Sequence, residues 1–151
     1  GQHFFEAMAN TDTLLLGRRT WEIHGGAFEP MVDDPFGDTM NALHKYVVST
    51  TLSSAQAWRN STLIRQNVVD TVRELKQAEG KNIMLDGSSV LAHTLIEHDL
   101  VDEYVLHVYP LVLGTGKRLW PEGKRVNLTL VASELLPTGV LYQRYRPARS
   151  V

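Results

Sequence analysis

The stretch Thr13-Leu14-Leu15-Leu16-Gly17-Arg18-Arg19-Thr20 sets a short apolar run directly against a glycine and two guanidinium groups. A continuous apolar run of this length, closed by glycine, predicts a strand covered on both faces. The polar cluster behind it would then sit at the strand's carboxyl end. Before the run, Phe4, Met8 and Ala9 recur at helical spacing with Phe5, so residues 2–10 predict an amphipathic helix. Behind it, Arg18 to His24 predicts a helical turn. Residues 25–38 hold Gly25, Gly26, Pro30, Pro35 and Gly37 and predict a long loop. A loop beyond about 12 residues in a compact domain is more often functional than idle.

The same grammar repeats downstream. Lys45 to Ser49 predicts a second buried strand and Thr62 to Ile64 a brief third one. Asn67 is placed to cap a helix through Val68, Val72 and Leu75 towards Gly80. Asn82 to Leu85 predicts another strand, followed at once by Asp86, Gly87, Ser88 and Ser89. Ser88 or Ser89 then opens a helix with Val90, Leu91, Leu95 and Ile96 on one face. From Val101 the pattern turns to strands at Tyr104 to Tyr109, Leu128 to Leu136 and Val140 to Tyr145, with Thr138-Gly139 linking the last two as a hairpin.

Strands alternating with helices imply parallel crossovers, and the terminal strands imply antiparallel pairing. The expected fold is α/β: a mixed, mainly parallel sheet with helices on both faces and an antiparallel C-terminal edge, in a single domain over 1–151. In open sheets of this kind ligands bind beyond the carboxyl ends of the parallel strands. Three such ends carry Gly17-Arg18-Arg19-Thr20, Ser49-Thr50-Thr51 and Asp86-Gly87-Ser88-Ser89.

Composition narrows the classes. The chain has 151 residues, 43% hydrophobic and 21% charged, which argues for a packed core and against disorder. The formal charge of −2 supplies no basic footprint for nucleic acid. There is no cysteine, which excludes a disulfide scaffold, a thiolate nucleophile and cysteine-bearing metal motifs, and agrees with a reducing cytoplasm. No apolar stretch approaches the roughly 20 residues that span a bilayer. The sequence starts at Gly1 inside a predicted helix and without methionine, so an upstream segment holding a first strand is expected.

Each polar cluster has a chemical reading and a plainer one. A glycine lets the main chain approach a pyrophosphate, and a helix start adds oriented N–H donors. Gly87 with the helix start at Ser88 offers both; equally, Gly87 turns the chain and Ser88 merely caps. Arg18 and Arg19 suit phosphate oxygens, or are solvated surface charges. Ser49, Thr50 and Thr51 could donate to a ribose phosphate, or simply leave a strand. Other signals are weaker. Gly114-Thr115-Gly116 lacks the third glycine and following helix of a dinucleotide fingerprint. The histidines His3, His24, His44, His93, His98 and His107 show no metal-ligand spacing, so no metal is expected. No serine sits in a G-x-S-x-G elbow. Phe4, Phe5, Trp21 and Tyr109 read as core rather than ligand platforms, although Trp21 beside Thr20 suits either.

Leu14 through Glu22 resembles the second strand of dihydrofolate reductases, where a G-R-x-T-W-E segment holds cofactor phosphates. Tyr46-Val47-Val48-Ser49-Thr50 resembles their next strand. Gly87-Ser88-Ser89-Val90-Leu91, Leu100-Val101-Asp102-Glu103-Tyr104 and Pro110 to Leu119 are similar to the bacterial dihydrofolate-reductase-like group built on the reductase domain of the riboflavin-biosynthesis deaminase/reductase. The ending from Thr138 to Tyr145 is also similar to this group. The resemblance implies a dihydrofolate-reductase-like three-layer fold and NADPH as cofactor. It implies that Gly17, Arg18, Arg19 and Thr20 hold phosphates and that Ser49 and Thr50 read the 2′-phosphate and its ribose. Gly87, Ser88, Ser89 and Val90 would cradle the pyrophosphate near the nicotinamide. Trp21, Asp86 and Tyr109 are candidates for the substrate side, and a homodimer is expected.

Two departures bear on the substrate. Asp86-Gly87 stands where dihydrofolate reductases carry paired glycines, and a non-proline cis bond there costs about 3 kcal/mol. Their pterin-binding carboxylate would fall at about Gly1, and Glu6 is the nearest acid. The expected activity is therefore NADPH-dependent reduction of a small heterocyclic or ribosylated substrate, with the pyrimidine intermediate of riboflavin synthesis as reference. The alternatives are a dihydrofolate reductase proper and a non-catalytic nucleotide- or folate-binding protein. No catalytic proton donor is assigned.

Overall fold

The computed structural model describes residues 2–149, apart from the Phe5 side chain. The position near Gly1 expected for a carboxylate therefore lies outside the described residues. The described chain falls into two compact units, one reaching to Ala92 and the other starting at His93.

In the first unit, α1 (Gln2–Ala9) precedes β1 (Thr11–Gly17), which leads directly into α2 (Arg18–Phe28). Next come α3 (Pro35–Ala42), β2 (His44–Val48), β3 (Ser61–Ile64), α4 (Val68–Gln77), β4 (Asn82–Asp86) and the start of α5 (Ser89–Glu97). The four strands form one parallel sheet in the order β3-β2-β1-β4. The chain steps outward from β1 to β3, then returns across to the far side of β1. Right-handed crossovers accordingly put α2 and α3 on one face and α4 on the other. Burial agrees: Leu14, Leu15 and Leu16 point alternately to the two faces and all three are buried. Leu14 and Leu16 pack in a cluster with Trp21, Met40, Val47, Ala55 and Trp58.

Two tryptophans anchor that cluster and both satisfy their indole N–H. Trp21 donates to Ser61 Oγ at 3.0 Å, and Trp58 donates to Asn41 Oδ1 at 2.7 Å. Truncating a buried tryptophan to alanine costs about 3–5 kcal/mol. Lys45 is fully buried among them. Its ammonium donates to the Met40 and Asn41 carbonyls at 2.9 and 3.0 Å, and lies 4.3 Å from the Trp58 ring centroid. These carbonyls end α3 and have no helical partner, so the lysine satisfies them. Burial pushes the Lys45 ammonium from 10.5 down to about 8, against the attraction of Glu29.

The predicted loop over 25–38 is corrected. Helix α2 runs on to Phe28, through Gly25 and Gly26. Gly25 is needed there because a Cβ would meet the Trp58 side chain at 3.2 Å. Pro35 starts α3 rather than breaking a helix, and Asp34 caps it by accepting from the Phe36 N–H at 3.1 Å. Asn67 takes the predicted position at the start of α4 but does not cap it through its side chain. Asn67 sits in the left-handed region at φ 56° and makes no side-chain cap bond; its carbonyl accepts from the Thr71 N–H instead.

The second unit holds the rest of α5 and an antiparallel sheet of its own, β5 (Tyr104–Val108), β7 (Leu141–Pro147) and β6 (Leu128–Leu135), in that spatial order. The Thr138-Gly139 hairpin is present, with the Gly139 N–H donating to the Leu136 carbonyl. No regular element lies between Val108 and Leu128, so Gly114-Thr115-Gly116 opens no helix. Phe4 and Tyr109 are corrected as core residues, being 42% and 60% exposed, whereas Trp21 is buried. Among the described residues no helix is long and apolar enough to cross a membrane.

Candidate active site

The parallel order places β1 between β2 and β4, so their three carboxyl ends are neighbours. Gly17 stands opposite Val48, and Leu16 opposite Asp86. The segments beginning at Gly17, Ser49 and Asp86 thus emerge side by side. The first and third interlock. A Cβ on Gly17 would lie 2.7 Å from Ser88 Oγ, and one on Gly87 would lie 3.0 Å from Thr20 Cγ2. Gly87 also has φ +81°, a conformation that side chains rarely adopt. Both glycines are accounted for by this close approach of one strand tip to the other.

Donors concentrate at the α2 start. Gly17 precedes it with no side-chain cap, and no acid lies in the first turn. The first N–H groups of α2 are therefore open to an anion, with the helix dipole behind them. Arg18 is exposed and held from two sides, by Glu22 Oε1 at 2.6 Å and by Thr51 Oγ1 at 2.5 Å. Arg19 is exposed and has no hydrogen bond or ion pair among the described residues. This donor set has the chemistry that phosphate groups require: backbone N–H, guanidinium and hydroxyl.

The remaining predicted residues divide. Ser49 is 8% exposed, and its hydroxyl accepts from the Thr51 and Leu52 N–H groups, shaping the turn after β2. Thr50 and Thr51 are exposed beside it. Ser88 Oγ accepts from the Leu91 N–H at 3.3 Å and so caps α5; Ser89 begins that helix and Val90 is exposed. Trp21 belongs to the core, on the buried side of α2. Tyr109 lies in the second unit, exposed.

Sequence reasoning missed His24. Its Nε2 lies 3.1 Å from Asp86 Oδ2, joining α2 to the β4 tip, with the side chains 32% and 52% exposed. The His24 ring stacks on Phe28, with centroids 5.8 Å apart and planes 15° from parallel. The two partners are 62 residues apart, so no local spacing could reveal the pair.

The sequence model of the RibD C-terminal domain matches residues 1–142. The chain belongs to that family. It is 34% identical over 146 residues to the uncharacterized protein YyaP of Bacillus subtilis (strain 168), covering 91% of this chain and 75% of that protein. Among solved structures it is similar to a putative riboflavin biosynthesis protein from Shewanella sp. PV-4, with a TM-score of 0.79, 23% identity and coverage of 99% of this chain and 81% of that one. It is also similar to RibD of Acinetobacter baumannii, with a TM-score of 0.67 and 15% identity, covering 97% of this chain and 50% of that one. At these identities the two likenesses establish a shared fold, the α/β arrangement read from the sequence. Within this RibD C-terminal domain, the polar tips of β1, β2 and β4 form the candidate site.

Proposed function

We propose that the protein is an NADPH-dependent reductase acting on a C=N or C=O bond of a small heterocyclic or ribosylated substrate. The observation that carries this reading is the convergence of the β1, β2 and β4 tips around the uncapped start of α2. The α2 N–H groups, Arg18 and Arg19 would take cofactor phosphates, and Thr50 and Thr51 flank them at the β2 tip. The Gly87 turn, locked against Thr20, would fix the floor beside them. NADPH, when bound, supplies a hydride; the chain's part is to orient the reactants and exclude water.

Membership of the RibD C-terminal family supports a pyrimidine of riboflavin synthesis as the reference substrate, although a shared fold does not itself fix the substrate. A reducing cytoplasm agrees with the absence of cysteine. The homodimer belongs to the same proposal: Leu111, Val112 and Leu113 of the second unit are consecutive, exposed and apolar, and exposed apolar patches favour a covering partner.

The test is NADPH oxidation by the protein over a panel of ribosylated pyrimidines and dihydropteridines, with NADPH binding measured in parallel. Turnover of a pyrimidine is expected. Binding without turnover of any panel member would favour a nucleotide-binding protein, and failure to bind NADPH would end the reductase reading.

A further inference from the structure

We infer that His24 is the proton donor of the reduction and that Asp86 positions it; this rests on the reductase reading above. Reduction of a C=N or C=O bond needs a proton at the heteroatom as well as a hydride at carbon. The proton source must face the cofactor-binding end of the sheet and be able to gain and lose a proton near neutral pH. Imidazole is the side chain best suited to that.

The geometry selects His24. It lies one helical turn beyond Thr20, the residue against which the Gly87 turn is packed. Asp86 immediately precedes Gly87 and pairs in register beside Leu16 at the end of β1. The pair therefore joins the second turn of α2 to the neighbouring β4 tip, beside the strand end from which α2 starts. The other acids of α2 are engaged elsewhere, Glu22 with Arg18 and Glu29, at its C-terminal boundary, with Arg59.

The ring is also oriented for the task. Asp86 Oδ2 at 3.1 Å accepts from Nε2–H, and stacking on Phe28 fixes the ring plane. Nδ1 makes no hydrogen bond to the protein among the described residues. A carboxylate accepting from one ring nitrogen fixes the ring and leaves the other nitrogen available to pass on a proton. As hydride reaches the substrate carbon, the π electron pair moves onto the substrate nitrogen or oxygen. That atom takes the Nδ1 proton of His24, and the neutral ring is reprotonated from solvent. Charge and protons balance with no further reactant.

The experiment uses the full chain with His24→Gln and Asp86→Asn variants. The His24 ring resonances are assigned by their loss in the His24→Gln spectrum. NADPH should shift those resonances, while both variants bind NADPH within about threefold of the parent, because neither side chain is among the groups assigned to the cofactor phosphates. His24→Gln should lower kcat about 100-fold or more. Asp86→Asn should lower kcat about tenfold with KM little changed, a split that a merely structural role would not produce. If NADPH leaves the His24 resonances unmoved, or His24→Gln keeps kcat within about threefold, the inference is overturned while the reductase reading stands. A parent that does not bind NADPH overturns both. Without a turned-over substrate, the resonance shift decides alone.

Discussion

The guanidinium of Arg18 donates to Thr51 Oγ1 at 2.5 Å, tying the first turn of α2 to the turn that follows β2. The bond brings a fixed positive charge to the threonine pair at the neighbouring strand tip. Its second partner, Glu22, is exposed like Arg18 itself, and ion pairs of that kind contribute about 0–1 kcal/mol. A phosphate arriving between Arg18 and Thr51 can displace the carboxylate at little cost.

Arg18→Ala should weaken NADPH by about ten- to a hundredfold, the worth of a hydrogen bond to a charged group, and NADH by less than about threefold. Paired titrations with the two cofactors check this. Equal losses would show that Arg18 does not read the 2′-phosphate.

Gly87→Val should abolish NADPH binding, because a β-branched side chain at φ +81° must push into Thr20. The strain is about 1–3 kcal/mol, small enough for the fold to survive. A lower midpoint with an intact unfolding transition is expected by denaturation. Unchanged cofactor affinity would remove this turn from the site.

The buried lysine gives a pH signature. Folding lowers the Lys45 ammonium from 10.5 to about 8, chiefly through burial. Below pH 8 the charge is carried in both the folded and unfolded chain, and its burial cost is fully present. Between about pH 8 and 10.5 the unfolded chain binds more protons, so stability rises with pH in that window. The gain is about 3 kcal/mol at most. Unfolding free energies of the parent and Lys45→Met should therefore diverge in favour of the parent across this window. Parallel curves would contradict the burial of a charged lysine.

Asn41→Ala leaves the Trp58 indole N–H without its acceptor inside the core and also removes the bond to the Phe28 carbonyl. A loss of about 2–4 kcal/mol is expected in denaturant unfolding. A change below about 0.5 kcal/mol would mean that water replaces the amide.

What the sequence disclosed, and what it hid, follows from the range of each interaction. Leu14 to Gly17 announced β1 because burial on both faces demands an unbroken apolar run. The polar tips were legible for the same reason, each following directly on such a run. Gly25, Gly26 and Pro35 misled because they act through distant partners. Gly25 makes room for Trp58, while Pro35 takes the first position of α3, where an N–H would have no intrahelical partner. Lys45 reads as the polar start of a strand, and only the fold shows it buried against the end of α3. His24 carries no local signal, since its partner Asp86 reaches it only when β4 lies beside β1. Phe4 and Tyr109 look like core by residue type, yet side-chain chemistry alone does not say which aromatic groups a small sheet can cover.

The central claim is that three neighbouring strand tips serve one phosphorylated cofactor, and backbone amide shifts during an NADPH titration test it directly. The largest shifts should fall on 17–20, 49–51 and 87–90, and all three groups should saturate with a single dissociation constant. Shifts centred elsewhere, or three groups that saturate at different concentrations, would contradict the account.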